Sequence, residues 1–233
     1  GKERPYYIGR KEAFAAHLIP GLSTLSLLYH NEGNNVFREV ARDVGLQDDT
    51  WSGDATPIDL NDDGWLDLYV ANMQGNDDCF LNLEGKRFER SGQKFFPRAV
   101  WGGMSVKSFD YNNDGRMDLY ITGMHPDMWP GQINLMGPKE RQKPRESVMP
   151  ETYLASRAPG KNILGNALYR NDGGGKFTEV SNELNAETYW PWGLSTGDLN
   201  ADGFGDVFIA SCMNYPFRYH PNTVLLNDAG KMF

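Results

Sequence analysis

Short apolar runs separated by turn-forming clusters organise this chain. Three of them share one pattern. Leu66-Asp-Leu-Tyr-Val70, Met117-Asp-Leu-Tyr-Ile121 and Gly205-Asp-Val-Phe-Ile209 are rich in β-branched and aromatic residues, which is strand composition rather than the start of a helix. A further strand is expected ahead of each, over Ala55–Ile58, Val106–Phe109 and Leu194–Gly197. A third set precedes a recurring Asn (Cys79–Leu81, Ala167–Tyr169, Thr223–Leu226), and a fourth begins at a recurring Phe (Phe37–Val40, Phe177–Val180). Asn and Phe stand six positions apart four times: Asn31 and Phe37, Asn82 and Phe88, Asn171 and Phe177, Asn227 and Phe233. The residues between them are Gly-bearing β-hairpin connections. Four antiparallel strands in a repeat of about 40–50 residues is the arithmetic of a β-propeller blade. The predicted class is therefore all-β. A β-helix coil would be shorter, and helical solenoids lack this turn chemistry.

Between the first and second strands of each repeat lies an acidic loop: Asp59-Leu-Asn61-Asp-Asp63-Gly64-Trp65-Leu-Asp67, Asp110-Tyr-Asn112-Asn-Asp114-Gly115-Arg116-Met-Asp118 and Asp198-Leu-Asn200-Ala-Asp202-Gly203-Phe204-Gly-Asp206. Carboxylate or amide oxygens stand at positions 1, 3, 5 and 9, with Gly at position 6. Ca²⁺ takes oxygen ligands, and the free φ of Gly lets the chain turn so that the carbonyl at position 7 (Trp65, Arg116, Phe204) points inward. Like charges this close repel unless a cation sits among them. Three calcium sites are expected. An EF-hand would need Glu at position 12, occupied here by Val70, Ile121 and Ile209, with flanking helices. A dockerin-type loop also leads into a helix.

The spacing is regular. From each Phe to the next loop's first Asp there are 22 (Phe37 to Asp59), 22 (Phe88 to Asp110) and 21 (Phe177 to Asp198) residues. Together, Asp-x-Asn-x-Asp-Gly-x-x-Asp-Leu-Tyr-Val and Asn166-Ala-Leu-Tyr-Arg-Asn-Asp-Gly-Gly-Gly-Lys-Phe-Thr-Glu-Val180 resemble the FG-GAP/VCBS repeat of integrin α-subunit propellers. The secreted branch typified by cartilage acidic protein is the most similar, and Phe37-Arg-Glu-Val-Ala-Arg-Asp-Val-Gly-Leu46 is similar to its blade-to-blade link. The resemblance covers roughly residues 27–124 and 165–233. It implies an integrin α-like propeller, seven-bladed when complete, with each acidic loop joining the two inner strands of a blade and binding Ca²⁺. The chain reads as one propeller segment over 1–233, with repeats near 27–88, 89–177 and 178–233. Three complete loops fall short of a closed ring, so further polypeptide is expected to complete it.

About 38 extra residues separate Thr122 from Asn166, an insertion over 123–165. Excursions from a rigid scaffold often carry function. This one holds Lys139, Arg141, Lys143 and Arg145 in an otherwise acidic protein of formal charge −8. It reads either as a solvated loop or as a grip for an acidic partner or polysaccharide. The acidity argues against nucleic acid partners. No apolar run reaches membrane-spanning length, since His17–Tyr29 is broken by Pro20 and Gly21. Loops of this kind fill at extracellular calcium levels, so the expected location is secreted, periplasmic or at the cell surface. Cys79 and Cys212 lie in non-adjacent repeats, where two free cysteines are the simpler reading than a disulfide.

Apparent catalytic motifs dissolve on inspection. Gly193-Leu-Ser195-Thr-Gly197 fits a nucleophile elbow but sits on a strand leading into Asp198, not on a strand-to-helix turn. Gly173-Gly-Gly-Gly175-Lys176 is a hairpin turn, and His17, His30, His125 and His220 show no zinc spacing, His125 with Asp127 being the pair worth revisiting. Trp51, Trp101 and Trp190 stand eight or nine residues before a loop's first Asp. There they either seal blade packing or stack on sugars, and Trp192 is expected to be exposed. The expected function is a non-enzymatic calcium-stabilised scaffold for another protein or a glycan. The alternative is a carbohydrate-binding or polysaccharide-cleaving propeller using residues 125–164 and the mouth tryptophans.

Overall fold

A computed structural model describes residues 25–74, 76–92, 94–96, 98–100, 102–123, 162–163, 165–188, 190–211, 213–214, 218–219 and 221–233. Expectations placed on most of the 123–165 insertion, and on Trp101, Cys212, His17, His125 and His220, lie outside these residues. The described residues contain strands and no helix. In chain order the strands are β1 (Tyr29–Gly33), β2 (Val36–Glu39), β3 (Trp51–Ile58), β4 (Asp67–Gln74), β5 (Asp78–Leu83), β6 (Arg87–Arg90), β7 (Ala99–Val100), β8 (Gly103–Phe109) and β9 (Asp118–Gly123). There follow β10 (Asn162–Ile163), β11 (Ala167–Gly173), β12 (Lys176–Glu179), β13 (Pro191–Gly197), β14 (Asp206–Ser211), β15 (Met213–Asn214), β16 (Arg218–Tyr219) and β17 (Thr223–Leu225).

Three antiparallel meanders carry the architecture. The first sheet is β3-β4-β5-β6, the second β8-β9-β11-β12, and the third β13-β14-β17. Hairpin β1–β2 stands ahead of the first. Each acidic loop joins a sheet's first two strands, as the four-strand repeat predicted. The recurring Asn and Phe face each other across the outer hairpins: Asn31 with Phe37, Asn82 with Phe88, Asn171 with Phe177. The first strands are three to four residues longer than the expected cores, because a register shift lets them continue past Ala55, Val106 and Leu194. The Phe233 N–H donates to the Leu184 carbonyl (2.8 Å), as the Phe88 N–H of β6 does to that of Val44 (2.6 Å).

Alternation along the second strand explains the stacking. Val70 lies in a core with Phe80, Ala41 and Leu46, with Leu68 packed against it on the side of hairpin β1–β2. Tyr69 and Ala71 point the other way, into a core shared with Leu119 and Ile121 of the second sheet. Tyr120 faces onward to join Leu194, Val207 and Ile209 of the third. Each inner sheet is thus buried on both faces. Phe96, on the segment between the first two sheets, meets Tyr69 and Tyr169 edge-on at 5.1 and 4.9 Å. Such a pair is worth roughly 0.5–1.5 kcal/mol beyond burial.

The two ends of the stack differ from its interior. Phe208, the counterpart of Tyr69 and Tyr120, is 36% exposed, and Val224 beside it is also exposed. On the hairpin, Phe37 is 58% exposed where Phe177 in the second sheet is 7%. Between neighbouring sheets the first strands approach closely. Asp54 accepts hydrogen bonds from Ser105 Oγ (2.7 Å), the Val106 N–H (3.1 Å) and Lys107 Nζ (3.0 Å). A Cβ on Gly53 would lie 2.4 Å from the Gly103 carbonyl oxygen.

Candidate metal centres

The three acidic loops fold by one local scheme. The carboxylate at position 1 spans the turn: Asp59 Oδ1 accepts from the Asp63 N–H (3.2 Å) and Oδ2 from the Gly64 N–H (2.8 Å). Asn61 Oδ1 accepts from that same Asp63 N–H (3.1 Å), and Asn61 Nδ2 donates to Asp63 Oδ2 (2.9 Å). Asp63 Oδ1 then accepts from the N–H of Trp65 (2.8 Å). The same bonds recur among Asp110, Asn112, Asp114, Gly115 and Arg116. They recur again among Asp198, Asn200, Asp202, Gly203 and Phe204. Short Asp and Asn side chains suit such local back-bonding. At position 6, Gly64, Gly115 and Gly203 take φ of 86°, 87° and 91°. Nothing lies within 4 Å of a Cβ built on any of them, so the backbone conformation and not crowding requires glycine.

Position 9 has a different setting. Asp67, Asp118 and Asp206 are buried, and both oxygens of each hold backbone. Asp67 Oδ2 accepts from the Leu60 N–H (2.9 Å) and Oδ1 from the Asn82 N–H (2.7 Å). Asp118 holds Tyr111 and Asn171, and Asp206 holds Leu199 and Asn227, in the same way. Burial pushes the Asp118 carboxyl up to about 7, and the charges of Asp114 and Asp110 push in the same direction. Burial likewise raises Asp67, with Asp63 and Asp59 adding to the effect. In these two loops burial and the neighbouring carboxylates thus disfavour the charged form at position 9, a cost that a cation would relieve.

The donor chemistry fits a hard divalent ion: two carboxylates and an amide in the turn, a backbone carbonyl at position 7, and a buried carboxylate behind them. Among the described residues no three His, Cys, Asp or Glu side chains converge as a group. The set depends on amide and carbonyl oxygens as well as acids. In the second loop Arg116 Nη2 also pairs with Asp114 Oδ2 (2.7 Å).

Sequence reasoning marked the hairpin Asn as a repeat signature without giving it a role. The structure makes it the tether between hairpin and loop. Asn171 Nδ2 donates to the Met117 carbonyl (3.2 Å), and its Oδ1 accepts from the Gly173 N–H (2.9 Å). Asn82 serves Leu66 and Gly85, and Asn227 serves Gly205 and Gly230. Its fixed six-position spacing from the hairpin Phe was the available signal. Loops also touch the next sheet, with the Gly174 N–H donating to Asp62 Oδ2 (2.6 Å) and Asn113 Nδ2 to the Gly203 carbonyl (2.9 Å). Of the tryptophans, Trp190 is buried, Trp51 half-buried and Trp192 44% exposed.

No curated protein matches the chain. A family profile described as FG-GAP-like repeat matches residues 59–121 and 150–209, more than half of the sequence and inclusive of all three acidic loops. With its meander sheets stacked face to face and an acidic loop at the same place in each, this chain belongs to the FG-GAP-like repeat family.

Proposed function

We propose that this chain is a non-catalytic, calcium-binding part of an extracellular β-propeller that serves as a scaffold for protein interaction or adhesion. The observation that carries the reading is the threefold recurrence of one hydrogen-bonded acidic loop. FG-GAP-like repeats are typically extracellular protein-interaction modules, which supports the same conclusion. The ligands would be Asp59, Asn61, Asp63, Asp67 and the Trp65 carbonyl in the first loop. Asp110, Asn112, Asp114, Asp118 and the Arg116 carbonyl serve the second, and Asp198, Asn200, Asp202, Asp206 and the Phe204 carbonyl the third. Bound Ca²⁺ supplies positive charge that offsets the three carboxylates of each loop. The protein's own part is to hold the turn open through its backbone bonds and to lock position 9 between strands. The cartilage acidic protein-like branch is the proposed relative, and secretion, the periplasm or the cell surface the proposed location. Further polypeptide of the same repeat covers the exposed faces at Phe208 and Phe37. No helix among the described residues is long and apolar enough to cross a membrane.

Calorimetric titration of chelator-treated protein with Ca²⁺, followed by thermal melts, tests this. Saturation at three ions with a raised Tm is expected. Ligand at 100 times its Kd stabilises by about 2.7 kcal/mol per site. Absence of heat and an unchanged melt at millimolar Ca²⁺ would sink the reading. One observation favours a second role, carbohydrate binding: Trp192 presents an exposed indole on a first strand. Sugar-array binding that Trp192→Ala abolishes would favour it.

A further inference from the structure

The first and second sheets are joined differently from the other pairs. After hairpin β1–β2 and after β12, a Glu ends the hairpin and caps the next turn: Glu39 Oε1 accepts from the Ala41 N–H (2.7 Å) and Glu179 Oε1 from the Ser181 N–H (3.0 Å). Each turn then lends a carbonyl to the following hairpin, Val44 to the Phe88 N–H (2.6 Å) and Leu184 to the Phe233 N–H (2.8 Å). The first sheet has Arg90 at the position of that Glu, and Arg90 pairs with Asp78 and Asp49. The segment beyond it carries Lys94, Phe95 and Phe96. Phe95 and Phe96 both enter the first core, and Phe95 also borders the second sheet's glycine turn, 3.1 Å from where a Gly175 Cβ would stand.

This departure leaves a cleft of about 270 Å³ lined by Asn61, Leu81, Lys94, Phe95, Gly174 and Gly175. Leu81 and Phe95 give it an apolar side, and Asn61 and the glycine backbone a polar one. Asn61 is engaged with Asp63, and the Gly174 N–H is held by Asp62. Lys94 is the one charged side chain in the lining. Its Nζ stands 5.5 Å from the Phe95 ring centroid, and it has no carboxylate partner among the described residues. Two adjacent glycines leave bare backbone along one wall.

We propose that this cleft receives an acidic side chain from an extended segment of a partner protein. Lys94 pairs with the carboxylate, and Leu81 and Phe95 take the stem. The proposal rests on the scaffold reading above and names its partner chemistry. The test is an amide chemical-shift titration with the capped peptide Ac-Ala-Leu-Glu-Leu-Ala-NH2, its Gln and Lys counterparts, and free glucuronate. The Glu peptide should move the amides of Leu81, Lys94, Gly174 and Gly175, and bind about two- to fivefold more tightly than the Gln peptide, the scale of one solvent-accessible ion pair. Lys94→Glu, on an exposed side chain, should leave the melt unchanged and reverse the preference to the Lys peptide, and Lys94→Gln should abolish it. Equal binding of all three peptides, shifts confined to other residues, or no binding would overturn the proposal. So would binding of glucuronate alone, which would reassign the cleft to a sugar acid. A parallel Ca²⁺ titration of the unaltered protein reports on the loops independently, so the two readings can fail separately.

Discussion

Replacing Asn171 with alanine removes two hydrogen bonds at the junction of hairpin and acidic loop. The Met117 carbonyl and the Gly173 N–H lose their partners, while the Asn171 backbone N–H keeps its bond to Asp118. Asn171 is 3% exposed. Stranding a buried polar group costs about 1–3 kcal/mol. Met117 is exposed and Gly173 half-buried, so water restores part of this, and the expected loss is about 2–3 kcal/mol. For a chain of this size that corresponds to a fall in Tm of about 5–10 °C. The fold contains its own control. Asn31 occupies the same place in hairpin β1–β2, and its Oδ1 accepts from the Gly33 N–H (2.9 Å), but it is exposed and no acidic loop stands beside it among the described residues. Asn31→Ala should cost under about 0.5 kcal/mol. Urea unfolding of both variants in saturating Ca²⁺ measures the difference. Equal costs, or less than about 0.5 kcal/mol for Asn171→Ala, would refute the tether.

Asp63→Ala should lower the melting temperature in Ca²⁺ more than Lys86→Ala does, and EGTA should narrow that gap, both read by calorimetry. Gly53→Ala should destabilise by about 1–3 kcal/mol through overpacking, since its Cβ would meet the Gly103 carbonyl oxygen at 2.4 Å. Denaturant titration checks it, with Gly197→Ala, where nothing lies within 4 Å, as the mild comparison. Partial burial pushes the Asp54 carboxyl up, but hydrogen bonds from Ser105, Val106, Lys107 and Ala55 outweigh it and hold the group below its ordinary 3.8. A carboxyl with a lowered folded-state pKa contributes stability that is full above its unfolded value and fades as pH falls through the folded one. Asp54→Asn should therefore flatten the stability loss below about pH 4. An unchanged acid slope in pH-dependent unfolding would contradict the assignment.

The acidic turns and outer hairpins were legible in the sequence because their determinants are local. A carboxylate two to five residues from its N–H partner, and a glycine where φ must be positive, act within one loop whatever surrounds it. The strand set followed for the same reason. Which neighbour each strand faces did not, since Leu68 and Tyr69 are both apolar and only the stack assigns them to opposite cores. Position 9 was read as one more oxygen in a cage. Its burial beneath Leu60 and Asn82 depends on the third strand, which lies fifteen residues away in sequence. The parallel pairing of β10 with β7, which brings Ile163 at the end of the insertion into the first core, had no periodic signal in two residues. The tryptophan ambiguity resolves toward packing at Trp190, while Trp192 is exposed as expected.

The clasp between each acidic loop and its successor has a consequence for the order in which the protein comes apart. The Gly174 N–H closes over Asp62, and Asn227 Nδ2 reaches back to the Tyr111 carbonyl (2.7 Å). The turns at 59–67 and 110–118 are therefore each gripped by the sheet that comes after. Among the described residues the turn at 198–206 has no such follower. Local opening free energies in stacked units depend on nearest neighbours. For residues 1–233 taken by themselves, amide exchange should accordingly run as a gradient along the stack, fastest in the turn at 198–206, with the first two guarded until the sheets beyond them have peeled away; polypeptide packed on the Phe208 face should slow that turn too.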